Sequence, residues 1–145
     1  MMDKHTKFSY SPDGHITVCE RRIHNQVFRG VSKCHPADWD FESKLVGEHY
    51  AYMRSMIQEI ASRRDAKKEE LKALKHLYNI LEQNPKVSRE SIECYIIRRQ
   101  IKVIEEEIED LRELIKMTKT ELRASIIAKD TYYKKIRESR QKQNV

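Results

Sequence analysis

The chain has 145 residues, 36% of them charged and 39% apolar, with only three Gly and three Pro, a balance that excludes a large spherical core and favours long, surface-rich helices. Twenty-nine bases against 23 acids leave a net charge of +6, a modest excess compatible with an anionic partner. No apolar run approaches the roughly 18 residues of a membrane span, and Met1-Met2-Asp3-Lys4-His5 lacks the apolar stretch of a secretory signal, so a cytoplasmic protein without a membrane partner is expected.

Residues 1–40 hold two of the three Gly, two of the three Pro and the only Trp, and read as a small β front. In Ser11-Pro12-Asp13-Gly14 the proline presets φ and the glycine accepts a positive φ, which makes a turn between Phe8-Ser9-Tyr10 and the strand starting at Ile16. The polar turn His24-Asn25-Gln26 then returns the chain through Val27-Phe28-Arg29-Gly30-Val31-Ser32-Lys33. A three-stranded antiparallel meander results. Its register stays open, since a two- or three-residue turn exchanges the buried face, and Gly30 marks either a bulge or a close approach.

Residues 41–84 form the first long helix. Val46, Tyr50, Met53, Ile57, Ile60, Leu71, Leu74, Tyr78 and Leu81 keep the alternating four-then-three spacing of a coiled-coil seam. The turn at 85–88 follows, because a proline pushes the preceding Asn84 out of the helical region and Ser88 can cap what comes next. The second long helix, 89–142, has the cleaner seam: Ile97, Ile101, Ile104, Ile108, Leu111, Ile115, Thr118, Leu122, Ser125, Lys129, Tyr132 and Ile136. The predicted class is therefore α+β, a meander followed by a long antiparallel two-helix coiled-coil hairpin. In such a hairpin residue numbers summing to roughly 172 face each other, which sets the basic run Ser62–Lys68 against the acidic run Glu105–Asp110. Two helices cannot shield one another fully, so self-association along Ile96, Val103, Leu114, Ile126 and Ile127 is expected.

Few residues suggest reaction chemistry. A hydrolase or transferase needs a nucleophile with a base, a phosphate-cradling loop or a pair of carboxylates in a cleft, and three glycines leave no such loop, so the chain is not expected to be an enzyme or to carry a cofactor. Cys19, Cys34 and Cys94 are odd in number and form no CxxC pair, and Cys34-His35 with Cys19 lacks a fourth zinc ligand, which points to reduced structural thiols. The acidic run from Glu105 to Asp110 spreads its carboxylates around the helix and reads as a solvated or ion-paired face.

The end of the second helix is more informative. Lys129, Tyr133, Arg137 and Arg140 fall at i, i+4, i+8 and i+11, hence on one face, with Tyr132 beside them. Tyrosine offers a flat surface for a base and arginine a fork for phosphate oxygens, and Arg98 and Arg99 form a second basic pair. In a dimer of antiparallel second helices centred near Lys116, Arg98 would meet Lys134. A basic tail that merely keeps the protein soluble is the plainer reading of the same residues. The front also matches the later elements of the double-stranded-RNA-binding fold, with Arg21, Arg22, Arg29 and Lys33 as its cations, although that fold's first helix is absent.

The stretches Val27–Asp38, with Gly47 and Lys72-Ala73-Leu74-Lys75-His76-Leu77-Tyr78, and Ile97-Arg98-Arg99-Gln100-Ile101 with Lys129–Arg137, resemble a group of small phage and prophage proteins of Gram-positive bacteria. The layout of an antiparallel sheet followed by helices is also similar to that of the Thoeris anti-defence sponge proteins. The resemblance implies a non-enzymatic, homo-oligomeric anti-defence protein that traps a cyclic ADP-ribose-type or other cyclic nucleotide signal. Arg98, Arg99, Lys129, Tyr132, Tyr133, Arg137 and Arg140 would bind it. An inhibitor that contacts a CRISPR effector or other host defence protein, and a nucleic-acid-binding accessory protein, are the alternative expectations.

Overall fold

The computed structural model describes residues 5–41 and 43–143, so the signal reading of the first four residues lies outside it. Strands β1 (Thr6–Tyr10), β2 (Ile16–Ile23) and β3 (Gln26–Lys33) are followed by a short 3-10 helix at Pro36–Phe41 and by helices α1 (Lys44–Gln83) and α2 (Ile92–Gln143). The class is α+β, as expected. The chain divides into two units, one made of Met1–Glu59 with Lys116–Val145 and the other of Ile60–Ile115.

In the first unit the sheet is a meander in the order β1-β2-β3. Its open register is settled by a two-residue turn: Ile23 pairs with Gln26, and His24 and Asn25 both take positive φ, 46° and 66°. Such a turn matches the right-handed twist of the strands it joins. Phe28, Gly30 and Ser32 of β3 consequently lie beside Arg21, Cys19 and Thr17 of β2 on the face that packs on α1.

The contact is close because the residues are small. A Cβ on Gly30 would stand 1.9 Å from the Ala51 carbonyl oxygen and 2.5 Å from the Ser55 nitrogen, so this glycine marks a close approach. The pairing with Cys19 is unbroken and there is no bulge. Ala51, Ser55 and Cys19 are fully buried. The Cys19 thiol donates to Ser55 Oγ at 3.8 Å, and the Ser55 hydroxyl donates to the Tyr52 carbonyl at 2.6 Å, so each buried polar group is satisfied. Burial pushes the Cys19 thiol pKa up, and the Ser55 contact opposes that only in part. Helix α1 also blunts the outer edge of β3: Gln58 accepts from the Arg29 N–H at 2.6 Å, and Arg54 donates to the Val31 carbonyl at 2.7 Å. Edge groups satisfied in this way are poor templates for further strands.

Helix α1 starts at Ser43, whose hydroxyl accepts from the Val46 N–H at 3.3 Å. Tyr50, Met53 and Leu122 form a core with Val46, Ile57 and Ile126, antiparallel helix against helix. Burying each large side chain contributes roughly 1.5–3 kcal/mol. The Tyr50 hydroxyl donates to the Ser125 carbonyl at 3.3 Å, which fixes the height of one helix against the other.

In the second unit, Ile60, Ile97, Ile104, Ile108 and Ile115 are buried, while Leu71, Leu74, Tyr78 and Leu81 are half-buried. The basic and acidic runs meet through Lys67, which pairs with Glu107 at 2.8 Å. Arg64 instead binds its neighbour Asp65, at 3.2 Å. Two expectations are corrected here. Helix α2 begins at Ile92 because Ser91, not Ser88, caps it, accepting from the Cys94 N–H at 3.3 Å. Ser88 closes the turn before it by accepting from the Glu90 N–H at 3.1 Å. The seam also leaves its expected line at the far end of α2: Tyr133 is 9% exposed and Tyr132 is 62% exposed, so after Lys129 the buried stripe steps four residues, not three.

Candidate ligand-binding cleft

Tyr10, Thr17 and Ser32 lie in one row across the three strands, on the face toward α1. Where this row meets the start of α1 and the end of α2, the first unit opens into a cleft of about 450 Å³. That is within the range of small-ligand sites. Aromatic rings of Tyr10, Phe41, Tyr50 and Tyr133 line it together with the ammonium groups of Lys33, Lys44 and Lys129.

Two glycines shape the opening. Gly14 has φ +79° in the β1–β2 turn, and a Cβ on Gly47 would come 2.8 Å from Thr17 Oγ1. The turn is fixed by the Gly14 N–H donating to the Ser11 carbonyl at 2.9 Å and by Asp13 accepting from the His15 N–H at 3.0 Å. His15 lines the cleft and stacks on Trp39 with ring centres 4.0 Å apart and planes 4° from parallel. Trp39 in turn donates its indole N–H to the Cys34 carbonyl at 3.3 Å.

Cations and rings are interleaved throughout the cleft. The Lys44 ammonium sits 4.3 Å from the centre of the Tyr10 ring, and Lys129 lies 5.7 Å from both the Tyr50 and Tyr133 rings. The Tyr10 hydroxyl donates to Glu48, whose carboxylate pushes the phenol pKa up to about 12. Burial works against the charge on Lys129, but the Asp130 carboxylate, with Tyr50 and Asp38, holds its pKa above the ordinary lysine value. Lys129 is therefore a standing positive charge at neutral pH. No carboxylate is paired with Lys33 or Lys44 among the described residues.

The residues singled out at the end of α2 separate into different roles. Lys129 and Tyr133 line the cleft. Tyr133 is not an open platform: Phe41 stacks on it at 5.0 Å, and its hydroxyl donates to the Phe41 carbonyl at 3.0 Å. Burial raises its phenol pKa. Arg137 donates to the Ala37 carbonyl at 2.6 Å and to the buried Asp38 carboxylate, and Arg137 and Arg140 both lie over the Phe41 ring, at 5.3 and 4.8 Å. These arginines hold the wall. Tyr132 points to solvent, and Arg98 and Arg99 belong to the Ile60–Ile115 unit.

Tyr10, His15, Lys33, Lys44, Phe41 and Tyr50 are the cleft residues that sequence reasoning did not assemble. The strand register would have found part of the set, since a two-residue turn at His24-Asn25 dictates the pairing of Thr17 with Ser32, and the Ser11–His15 turn sets Tyr10 beside Thr17. Chemically the cleft offers ammonium groups and the hydroxyls of Thr17, Ser32 and Ser43 to anionic oxygens, and tyrosine rings to a flat heterocycle. Among the described residues no group of three or more His, Cys, Asp or Glu side chains is placed to hold a metal ion, and no helix is long and apolar enough to cross a membrane.

Comparison of the chain with family models, with curated proteins and with solved structures returns no match.

Proposed function

We propose that the protein acts by binding, without catalysis, and that the cleft of its first unit holds a small phosphate-bearing ligand with a flat ring, of the cyclic nucleotide type. The observation that carries this is three lysines, Lys33, Lys44 and Lys129, interleaved with Tyr10, Tyr50 and Tyr133 around one cavity of about 450 Å³. Lysine ammonium groups meet phosphate as point charges, and the tyrosine rings supply apolar area for the base at low entropic cost. Sequestration of a host signal, the anti-defence role implied by the sequence resemblance, is the setting this reading fits. Arg137 and Arg140 then support the site from behind, and Lys129 and Tyr133 are shared between wall and ligand.

The test is to incubate the purified protein with an extract of defence-activated cells, wash and heat it, and identify what is released by mass spectrometry. A stoichiometric adenine nucleotide is expected. Titration with cyclic ADP-ribose and with cyclic dinucleotides then identifies the class, and Lys33→Glu with Lys44→Glu is expected to weaken binding at least tenfold. A folded protein that emerges empty and binds none of these probes overturns the reading.

One observation favours a second reading, contact with a nucleic acid or an acidic protein such as a defence effector. Lys68, Lys72, Lys75 and Arg112 share one groove of the second unit. Glu105 and Glu109 line the same groove and offset part of that charge. A nucleic-acid complex formed there would weaken steeply as salt is raised, through counterion release.

A further inference from the structure

The two grooves between α1 and α2 in the second unit differ in character. One, of about 550 Å³, has a floor of Leu74 and Ile104, sides of Ala73, Leu77 and Val103, and a rim of Lys67, Glu70, Arg99 and Glu107. Leu77 and Val103 are 44% and 45% exposed beside it. The apolar stripe extends beyond the groove at helical spacing. Ala73, Leu77 and Ile80 follow i, i+4, i+7 on α1, while Ile92, Ile96 and Val103 follow i, i+4, i+11 on α2. This is a second seam on each helix, with Ile80, Ile92 and Ile96 all exposed. The other groove carries Lys68, Lys72, Lys75, His76 and Arg112 against only Glu105 and Glu109.

Charge decides what covers the apolar groove. At one end Lys67 is shared between Glu107 at 2.8 Å and Glu70 at 3.6 Å, which leaves one carboxylate charge in excess. At the other end Arg99 pairs with no carboxylate among the described residues. The rim is neutral overall but polarised along its length. A two-fold axis across the middle of the groove places the Arg99 end of one copy against the Glu70 and Glu107 end of the other, twice over. The opposite groove has a net positive rim and would repel a copy of itself.

We infer that the Leu77–Val103 face of the second unit is a self-association surface, on which two copies pack as an isologous four-helix bundle with Arg99 of each facing Glu70 and Glu107 of the other. A closed two-fold contact buries the second seam on all four helices. The surface accounts for Arg99 without a ligand.

Sedimentation equilibrium of the full chain tests it. The expected mass is twice the 17.4 kDa of one chain at micromolar concentration. Leu77→Glu or Val103→Glu is expected to raise the dissociation constant at least tenfold with unchanged helical circular dichroism, while Lys72→Glu in the opposite groove leaves it unchanged. Arg99→Glu also weakens the dimer, and adding Glu70→Arg to it restores association. Because these two side chains lie on the rim, the charge-swap pair decides the matter even if an apolar-to-acid variant fails to fold. A wild-type monomer at tens of micromolar overturns the inference. So does a dimer that neither Arg99→Glu nor Val103→Glu weakens.

Discussion

Arg137 donates to the carboxylate of Asp38, a buried residue that also lies 3.7 Å from the Lys129 ammonium. Two of the cations that sequence spacing offered to a phosphate are thus already engaged by a carboxylate of the same chain, and the engagement is unequal. Lys129 keeps a face toward the cleft, whereas Arg137 is further tied to the Ala37 carbonyl at 2.6 Å. Arg137→Ala is therefore expected to lower stability by about 1–2 kcal/mol, the usual scale for a charge-assisted hydrogen bond discounted for partial exposure. Affinity for a cleft ligand should change little. Asp38→Asn should lower stability similarly but tighten binding of an anion, because Lys129 loses a competing partner. Urea denaturation and ligand titration on the same two variants check both directions. A loss of affinity in Arg137→Ala at unchanged stability would place the arginine in contact with ligand.

Gly30→Ala tests the packing of sheet on helix. The added methyl would stand 1.9 Å from the Ala51 carbonyl oxygen, a backbone atom that cannot rotate away, so strand and helix must separate. Overpacking of this kind costs about 1–3 kcal/mol, and the rigid neighbour puts this site at the upper end. Gly14→Ala meets no atom within 4 Å and suffers only from its φ of +79°. Its cost should be about 1 kcal/mol. Midpoints of chemical denaturation separate the two, and a smaller effect at Gly30 than at Gly14 would refute the close-approach account.

Much of this architecture was legible because helical spacing is unforgiving over long distances. From Val46 to Lys129 the alternating spacing names the seam almost residue by residue, and it opposed the basic run Ser62–Lys68 to the acidic run Glu105–Asp110, which meet through Lys67 and Glu107. It failed where the sequence offered two equivalent choices. Tyr132 and Tyr133 both satisfy a step of three or four from Lys129, and what selects Tyr133 is Phe41, 92 residues earlier, through ring and carbonyl. Ser88 and Ser91 are both good caps, and local turn geometry chose between them. The cleft was the least legible feature, since its floor depends on strand register. The register of β2 on β3 hangs on His24 and Asn25 both adopting positive φ, to which asparagine is suited and histidine less so.

The pairing of Tyr10 with Glu48 makes a spectroscopic prediction. The chain has seven tyrosines, and the Tyr10 phenol is pushed up to about 12 by the Glu48 carboxylate, above its ordinary value of 10.0. Because the folded-state pKa is the higher one, the folded form holds this proton more tightly. The stabilisation is fully present below pH 10 and is lost as pH rises toward 12. Ultraviolet titration of phenolate should show a late-titrating tyrosine that Tyr10→Phe removes and that Glu48→Gln shifts back toward the ordinary value. Denaturation midpoints between pH 10 and 12 should fall more in the wild type than in Tyr10→Phe. An unchanged titration curve in both variants would exclude the contact.

The single tryptophan reports on the cleft without a label. Trp39 stacks on His15 at 4.0 Å, and His15 lines the cavity, so a ligand that enters there must press on the ring that covers the indole. Occupancy is expected to change the Trp39 emission by tens of per cent and to saturate with the same midpoint as calorimetric titration. His15→Ala should shift the emission of the unliganded protein and abolish most of the response while leaving ligand affinity reduced only a few-fold. The lysines Lys33, Lys44 and Lys129, and not the imidazole, supply the charge that holds a phosphate. Binding seen by calorimetry with no change in Trp39 emission would place the ligand outside this cleft, and the groove of Lys68, Lys72, Lys75 and Arg112 would then be the surface to mutate.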